Sequence, residues 1–320
     1  MVRLAVLFAA LALVAFNTLV HSAQYPTRPV RFVIPFPVGG PTDGAGRIIG
    51  QALSQSLGQS VVIDNRPGAD GAIGPELVAK APPDGYTISM ATSSSMAAVP
   101  AMRKKPPYDP IADFTPITLV GWNSLLLVVN SKLPVKTVAE LIEYSRANPG
   151  KVNVAAANPP SIFAMAQLKS IAKLETVDVT YKGDASALPD LLAGRVHVLA
   201  AGTNLVLPHV KEGRLRALAT FMRTRTRPAP DVPTMAEAGV PRFAIHPWVG
   251  LFGPAKMPRE VVDRLAREVN AAFKRPDVRE QLDKIGFEPE TSTPQELTAF
   301  VKEQIMVYAA VARDAGIPQQ

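Results

Sequence analysis

Residues 33–43 read Val33-Ile34-Pro35-Phe36-Pro37-Val38-Gly39-Gly40-Pro41-Thr42-Asp43. An apolar run ends here in a pair of glycines, and a new apolar pattern with helical spacing follows it. The positions that share this helical face are Ala45, Ile49, Ala52, Leu53 and Leu57. We predict a buried strand at residues 30–34, a tight turn, and a helix that Thr42 or Asp43 caps at its start and Gly58 ends.

The turn at Gly39-Gly40 has the chemistry of an anion site. A strand that runs into a helix N-terminus presents free backbone N–H groups and the positive end of the helix dipole. The glycines lack the spacing of a dinucleotide fingerprint, and no Gly-Lys-Ser/Thr of a P-loop follows them. Spacing alone leaves a plain tight turn as the alternative. For Asp43, the alternatives are a structural cap and a contact to the ligand through bridging waters.

Short β-branched runs alternate with amphipathic patterns along the chain, which predicts an α/β protein with largely parallel sheets. The predicted strands are 30–34, 61–64, 86–91, 125–130, 152–155, 177–181, 196–200 and 215–220. Two apolar segments, 125–130 and 249–252, are typical of crossovers between lobes. We therefore expect one lobe from residues 24–124 plus 249–320 and a second from 125–248, with two sequential domains as the alternative.

Bulk properties limit the possible functions. A positive residue, a long apolar run and small residues up to Ala23 predict a signal peptide over residues 1–23, and hence a periplasmic, soluble mature protein. The net charge of +7 comes from Lys and Arg that are interspersed with Asp and Glu, which argues against a nucleic-acid surface. The chain has no Cys, and its four His residues are far apart, so neither a disulfide nor a metal site is expected.

A second polar loop, Thr92-Ser93-Ser94-Ser95, follows the strand predicted at 86–91 and offers hydroxyl donors near the same sheet edge. Its alternative interpretation is a turn or helix cap. A serine nucleophile is not expected, because the sequence has no G-x-S-x-G elbow. No cofactor fingerprint or recognisable acid–base pair appears either, so we predict that the protein is not an enzyme and has no cofactor.

A series of motifs in fixed order closely resembles the Bug family of extracytoplasmic receptors, which serve tripartite tricarboxylate transporters. The resemblance covers nearly all of the predicted mature chain. It rests on these segments, among others: residues 35–43, Asn65-Arg66-Pro67-Gly68-Ala69-Asp70-Gly71, Asp84-Gly85-Tyr86-Thr87, Pro107-Tyr108-Asp109-Pro110, Tyr181-Lys182-Gly183, Leu191-Leu192-Ala193-Gly194, Leu207-Pro208-His209, Asp231-Val232-Pro233-Thr234 and Trp248.

The resemblance implies a two-lobed periplasmic-binding-protein fold of the Venus-flytrap, type II-like kind, with two crossover strands. It also implies that the Gly-rich loop holds a ligand carboxylate through backbone donors and waters. The ligand-binding positions that it implies are, in the first lobe, Phe36, Gly39, Gly40, Thr42, Asp43, Thr92, Ser93 and Ser94. In the second lobe they are Ala157, Asn158, Ser161, Tyr181, Gly202, Thr203 and Asn204. We add Trp248 as a residue that either stacks on the ligand or packs at the hinge.

Two departures from the family pattern bear on the ligand. Residues 155–164 read Ala-Ala-Ala-Asn-Pro-Pro-Ser-Ile-Phe-Ala where relatives carry a Gly- and Ser-rich loop, and Ala201 stands where an Asp is common. The loss of polar donors predicts an aromatic or otherwise hydrophobic carboxylate, such as terephthalate. We expect a monomer that passes this ligand to inner-membrane permease subunits. A receptor that signals to a two-component system is the alternative, and a periplasmic enzyme is the rival from another class.

Overall fold

The computed structural model describes residues 25–319, and these form two α/β lobes, each built on its own sheet. The predicted signal peptide, residues 1–23, lies outside the described residues. Within residues 25–319, no helix is both long and apolar enough to cross a membrane. The two-lobed α/β prediction is confirmed.

Eleven strands build the two sheets. They are β1 (Val30–Ile34), β2 (Val61–Asn65), β3 (Thr87–Thr92), β4 (Phe114–Asn123), β5 (Leu125–Asn130), β6 (Val152–Ala156), β7 (Thr176–Thr180), β8 (Val198–Gly202), β9 (Leu215–Thr220), β10 (Trp248–Pro254) and β11 (Phe287–Pro289). The first sheet has the order β11-β4-β10-β3-β1-β2, and the second has the order β7-β6-β8-β5-β9.

The helices cover both sheets. They are α1 (Pro41–Leu57), α2 (Ile73–Ala79), α3 (Val99–Met102), α4 (Val138–Ala147), α5 (Pro159–Ala172), α6 (Asp184–Ala193), α7 (Thr203–Lys211), α8 (Arg259–Lys274), α9 (Pro276–Lys284) and α10 (Pro294–Asp314). The apolar face predicted for α1 is buried along its whole length, and Gly58 ends the helix in the left-handed conformation.

Both sheets are mixed, so the prediction of largely parallel sheets is wrong. Strand β1 runs parallel to β2 and β3, and β6 runs parallel to β7 and β8. In contrast, β10 is antiparallel to β3 and β4, and β5 is antiparallel to β8 and β9. The reason is that β5 and β10 are the strands by which the chain enters a sheet from the other lobe, and each lies in the interior of the sheet that it joins.

The chain crosses between the sheets twice. The first crossing is at Ser124, between β4 of the first sheet and β5 of the second, and the other lies within residues 221–247. The C-terminal helix also spans both lobes: Leu297 and Val301 pack beside the first sheet, whereas Tyr308 shares a core cluster with Phe163 of α5. The residue boundaries 24–124 plus 249–320 and 125–248 therefore stay a prediction.

Candidate functional site

A cavity of about 280 Å³ lies where the two lobes meet. From the first lobe it is lined by Phe36, Pro37, Gly40, Pro41, Thr42, Thr92, Ser93 and Ser94. From the second lobe it is lined by Asn158, Pro159, Pro160, Asp184, Gly202 and Asn204. The chain segments that join the lobes supply Asn123, Ser124, Leu125 and Pro247, and the turn before β11 supplies Gly286. This volume is at the low end of ligand pockets and suits a small organic molecule.

Four helices begin at the wall of this cavity. Helix α1 follows Gly40, α5 follows Asn158, α6 begins with Asp184, and α7 follows Gly202. Each helix N-terminus carries a partial positive charge, and the starts of α1, α6 and α7 have backbone N–H groups without intrahelical acceptors. The start of α5 offers no free N–H group, because Pro159 and Pro160 have none and the Ser161 N–H donates to the Asn158 side chain at 3.0 Å. No lining residue is Lys, Arg or His. Among the residues that line the cavity, groups that favour an anion therefore come from the backbone and from neutral side chains.

The Gly-rich loop opens the start of α1 toward the cavity. Gly39 adopts a φ of +88°, which a residue with a Cβ rarely takes, whereas Gly40 has a φ of −77°. The helix begins at Pro41 and its first backbone bond runs from the Gly44 N–H to the Gly40 carbonyl at 2.9 Å. The prediction that Thr42 or Asp43 caps this helix is wrong, because the helix starts before both and no side chain caps it.

Asp43 lies on the side of the Gly-rich loop away from the cavity, where its hydrogen bonds stabilise the loop conformation. Its carboxylate accepts hydrogen bonds from the Gly39 N–H at 2.9 Å, from Arg47 at 2.9 Å and from the Asn65 amide at 2.8 Å. The same amide donates to the Phe36 carbonyl at 3.0 Å. Burial acts to raise the pKa of Asp43, but the hydrogen bonds from Arg47, Gly39 and Asn65 lower it overall. Asp43 is thus an ionised structural group that does not line the cavity.

The second loop of the first lobe supplies hydroxyl groups. Ser94 donates to the Asp70 carbonyl at 2.8 Å, and Ser95 accepts from the Thr92 N–H at 3.0 Å, which fixes the turn after β3. The hydroxyl oxygen of Thr92 is buried and has no hydrogen-bond partner among the described residues. Thr92 is among the residues that line the cavity, and a hydroxyl without a protein partner can donate to a ligand or a water.

The crossing between the lobes contributes polar groups that we did not predict from the sequence. The Ser124 hydroxyl lies 2.6 Å from the Thr203 hydroxyl and donates to Thr226 at 2.9 Å. The neighbouring Asn123 N–H donates to the Pro247 carbonyl at 2.9 Å, which ties one crossing to the other. The sequence signal for these residues was the polar pair Asn123-Ser124 directly before the apolar strand predicted at 125–130.

The second lobe presents an acid, Asp184, that the sequence analysis also missed. One of its oxygens accepts a hydrogen bond from the Asn158 side-chain amide, and the other accepts from the Gly202 N–H at 3.3 Å. Burial raises the pKa of Asp184 to about 6, against these two hydrogen bonds, which lower it. The only sequence signal was its place directly after the family motif Tyr181-Lys182-Gly183.

Nine of the predicted site residues line the cavity: Phe36, Gly40, Thr42, Thr92, Ser93, Ser94, Asn158, Gly202 and Asn204. The other seven, Gly39, Asp43, Ala157, Ser161, Tyr181, Thr203 and Trp248, do not. Most of these seven have structural partners. Ser161 completes the capping box of α5, Thr203 bonds to Ser124, and the Tyr181 hydroxyl donates to Asp190 at 2.7 Å.

Trp248 packs inside the first lobe and does not face the cavity. Its side chain is fully buried, with its ring centroid 5.5 Å from that of Phe300 and 6.4 Å from that of Phe252. Of its two predicted roles, ligand stacking and packing, the geometry fits packing. The reason is that β10 turns this side chain into the core cluster that it shares with α10.

The cavity is equipped for binding. Its walls carry backbone donors, neutral hydroxyl and amide groups, and the rings of Phe36 and several prolines, with Asp184 as the one titrating side chain. Among residues 25–319, no three His, Cys, Asp or Glu side chains are grouped closely enough to hold a metal ion. This arrangement can hold a small anion with an apolar body.

Comparison with known proteins identifies relatives over most of the chain. Residues 45–317 match the family described as tripartite tricarboxylate transporter family receptor. The protein BugT of Bordetella pertussis is 35% identical over 302 residues, which cover 93% of this chain and 92% of BugT.

Two solved structures add bound ligands to the comparison. Rpa4515 of R. palustris, solved with adipate, has a TM-score of 0.81 and 36% identity, over 93% of this chain and 100% of that one. MatC of Rhodopseudomonas palustris, solved with bound malate, has a TM-score of 0.76 and 32% identity, over 90% of this chain and 99% of that one.

Proposed function

The chain belongs to the tripartite tricarboxylate transporter receptor family, whose members are periplasmic solute-binding receptors and not enzymes, and on this premise we propose that it captures a small carboxylate with an aromatic or otherwise hydrophobic body. Terephthalate is an example of this class. The ligand binds in the cavity between the lobes, and the protein delivers it to the permease subunits of a tripartite transporter.

The single observation that carries this proposal is the meeting of four helix N-termini at one cavity without a basic side chain. Backbone N–H groups and helix dipoles at such a point favour an anion. Helix α1 offers an open end, because no side-chain cap occupies its start, whereas Asn158 caps α5 and the Asp184 carboxylate engages donors beside α6 and α7. We place the ligand carboxylate there, with the Thr92 hydroxyl as an additional donor.

The walls of the cavity favour an apolar ligand body. Phe36 and Pro37 lie on the first lobe, Leu125 on the crossing, and Pro159 and Pro160 on the second lobe. The two prolines belong to the segment 155–164 that departs from the family pattern. A citrate-like ligand would bring several polar groups against these walls, where they lack partners. The adipate of Rpa4515 shows that a relative holds a carboxylate with a purely hydrocarbon middle.

Export to the periplasm is part of the proposal, with cleavage of the signal peptide near Ala23. The intact mass of the protein purified from the periplasm measures the position of cleavage. A mature chain that begins near Gln24 is the expected result, whereas a mass of the uncleaved chain contradicts it.

Two experiments test the ligand class and the transport role. Small molecules released from natively purified protein are identified by mass spectrometry, and the protein is titrated with terephthalate, benzoate, adipate, citrate and aspartate. Tight binding of citrate alone contradicts an apolar ligand. Deletion of the gene should abolish uptake of the identified ligand to the same extent as deletion of the permease. Normal uptake with loss of a transcriptional response would instead indicate a sensory receptor.

A further inference from the structure

Asp184 stands out because it places a carboxylate in a cavity that otherwise suits anions. It is the only Asp or Glu among the residues that line the cavity, and it is partly exposed to that space. Its position is the first residue of α6, next to the starts of α5 and α7. Three of the four helix N-termini at the cavity thus lie around this one side chain.

The carboxylate of Asp184 uses the donors that these helix ends provide. The Asn158 amide and the Gly202 N–H, which precede α5 and α7, both donate to it. The helix dipoles and these two hydrogen bonds favour the ionised carboxylate, but they do not fully offset the cost of its burial. The same donors would be the partners of a second ligand carboxylate, and they are already engaged.

Among the described residues that line the cavity, no positive side chain offsets the charge of Asp184. Helix α6 packs on β5 and β8, and neither strand contains a charged residue. Lys182, the nearest basic residue in the sequence, is exposed. Burial already raises the pKa of Asp184, with no charged neighbour among the causes. A second negative charge in the same cavity would add repulsion without compensation.

We propose that Asp184 takes the place of a second ligand carboxylate and makes the protein select a ligand with one carboxylate and a hydrogen-bond donor at its other end. This inference rests on the proposed function and narrows its ligand class. The single carboxylate binds at the start of α1, and a hydroxyl group of the ligand donates to Asp184. Within the aromatic class, 4-hydroxybenzoate fits this description, whereas terephthalate brings the second charge.

Calorimetric titration with matched ligands tests the inference. The probes are benzoate, 4-hydroxybenzoate and terephthalate, with 6-hydroxyhexanoate and adipate as an aliphatic pair, all at about pH 8, where carboxyl groups are ionised. Wild-type protein should bind each hydroxy acid at least about tenfold more tightly than the matching dicarboxylate, because like charges in one site are costly. Asp184→Asn should bring this ratio close to one, mainly by tightening the binding of the dicarboxylate.

Asp231→Asn is the matched control, because Asp231 is exposed and the substitution makes the same change in net charge. It should keep the wild-type ratio between the affinity for each hydroxy acid and the affinity for the matching dicarboxylate. Asp184→Ser serves as a second variant if Asp184→Asn does not fold, since Ser is favourable at a helix start. A wild-type preference for the dicarboxylates, or a ratio that Asp184 substitution leaves unchanged, overturns the inference while the proposed function stands. Failure of every probe to bind overturns both.

Discussion

The carboxylate of Asp43 accepts a hydrogen bond of 2.9 Å from the backbone N–H of Gly39, four residues earlier in the chain. This bond stabilises the Gly-rich loop on the side away from the cavity. The start of α1 is therefore left facing the cavity. The two sides of the loop therefore have different roles. Asp43 and Asn65 stabilise the loop conformation on one side, and Gly40 borders the cavity on the other.

The two glycines of the loop should respond differently to substitution. Gly40 has an ordinary φ, and a Cβ there would meet only the Pro37 carbonyl at 3.6 Å, so Gly40→Leu should keep the wild-type melting temperature and abolish carboxylate binding. Gly39 has a φ of +88°, so Gly39→Ala should lower the free energy of unfolding by about 1 kcal/mol. Thermal melts and calorimetry measure both effects. Unchanged affinity in Gly40→Leu would remove this loop from the site.

Asp43→Asn should destabilise the protein by about 1–2 kcal/mol at neutral pH, because it removes a buried charge that pairs with Arg47. The pKa of Asp43 is lowered in the folded state, so its stabilisation is present above the unfolded pKa and disappears as the pH falls through the folded value. The difference between variant and wild type should therefore shrink below about pH 4, close to the ordinary pKa of an Asp. Denaturant unfolding over a range of pH measures it.

The control for Asp43 is Asp263→Asn, which removes an ion pair with the same spacing, to Arg259, on the exposed face of α8. Exposed pairs contribute little, so this variant should unfold as wild type does. Equal destabilisation by the two substitutions would mean that Asp43 is an ordinary surface charge.

Asp184→Asn should stabilise the ligand-free protein above about pH 6. The folded-state pKa of about 6 lies above the ordinary Asp value of 3.8, so the folded state binds more protons than the unfolded state between these values. The stability of the wild type therefore falls as the pH rises through this interval. At neutral pH the free energy of unfolding of the variant should exceed that of the wild type by on the order of 1 kcal/mol, and this difference should disappear below about pH 4. A variant that is less stable at neutral pH would show that the ionised carboxylate is well compensated.

Trp248→Phe should leave ligand affinity within about twofold of wild type, because this side chain is fully buried among core residues. Phe36→Ala is the contrasting variant, since Phe36 lines the cavity, and it should weaken binding about tenfold through lost apolar contact. Calorimetry with the same ligand measures both. A large loss of affinity in Trp248→Phe, with Phe36→Ala unaffected, would restore the stacking role of the tryptophan.

The sequence was sufficient wherever a local pattern determined the structure. Strands at 30–34, 125–130 and 215–220 have the predicted ends, because each is a short and mainly apolar run, although Arg31 and Arg216 interrupt two of them. Strand β4 was missed because Pro116 and Gly121 interrupt its pattern. The strand tolerates both at irregularities in its pairing with β10, and Gly121 adopts a φ of +141°.

The candidate site was predictable in its first loop and much less so elsewhere. The Gly-rich turn has a local signal, and Gly40 and Thr42 do line the cavity. Asp184 has no signal beyond its place after residues 181–183, because an Asp at a helix start is usually a solvated residue. Only the topology brings this one beside Asn158 and Gly202. The structure likewise explains why Trp248 does not face the cavity.

A crystal structure of the protein with a bound monocarboxylate, such as benzoate, tests the central claim most directly. We predict that the carboxylate lies within about 3 Å of backbone N–H groups at the start of α1 and that residues of both lobes touch the ring. A ligand bound outside the cavity, or a cavity filled by side chains while calorimetry reports binding, would contradict the account.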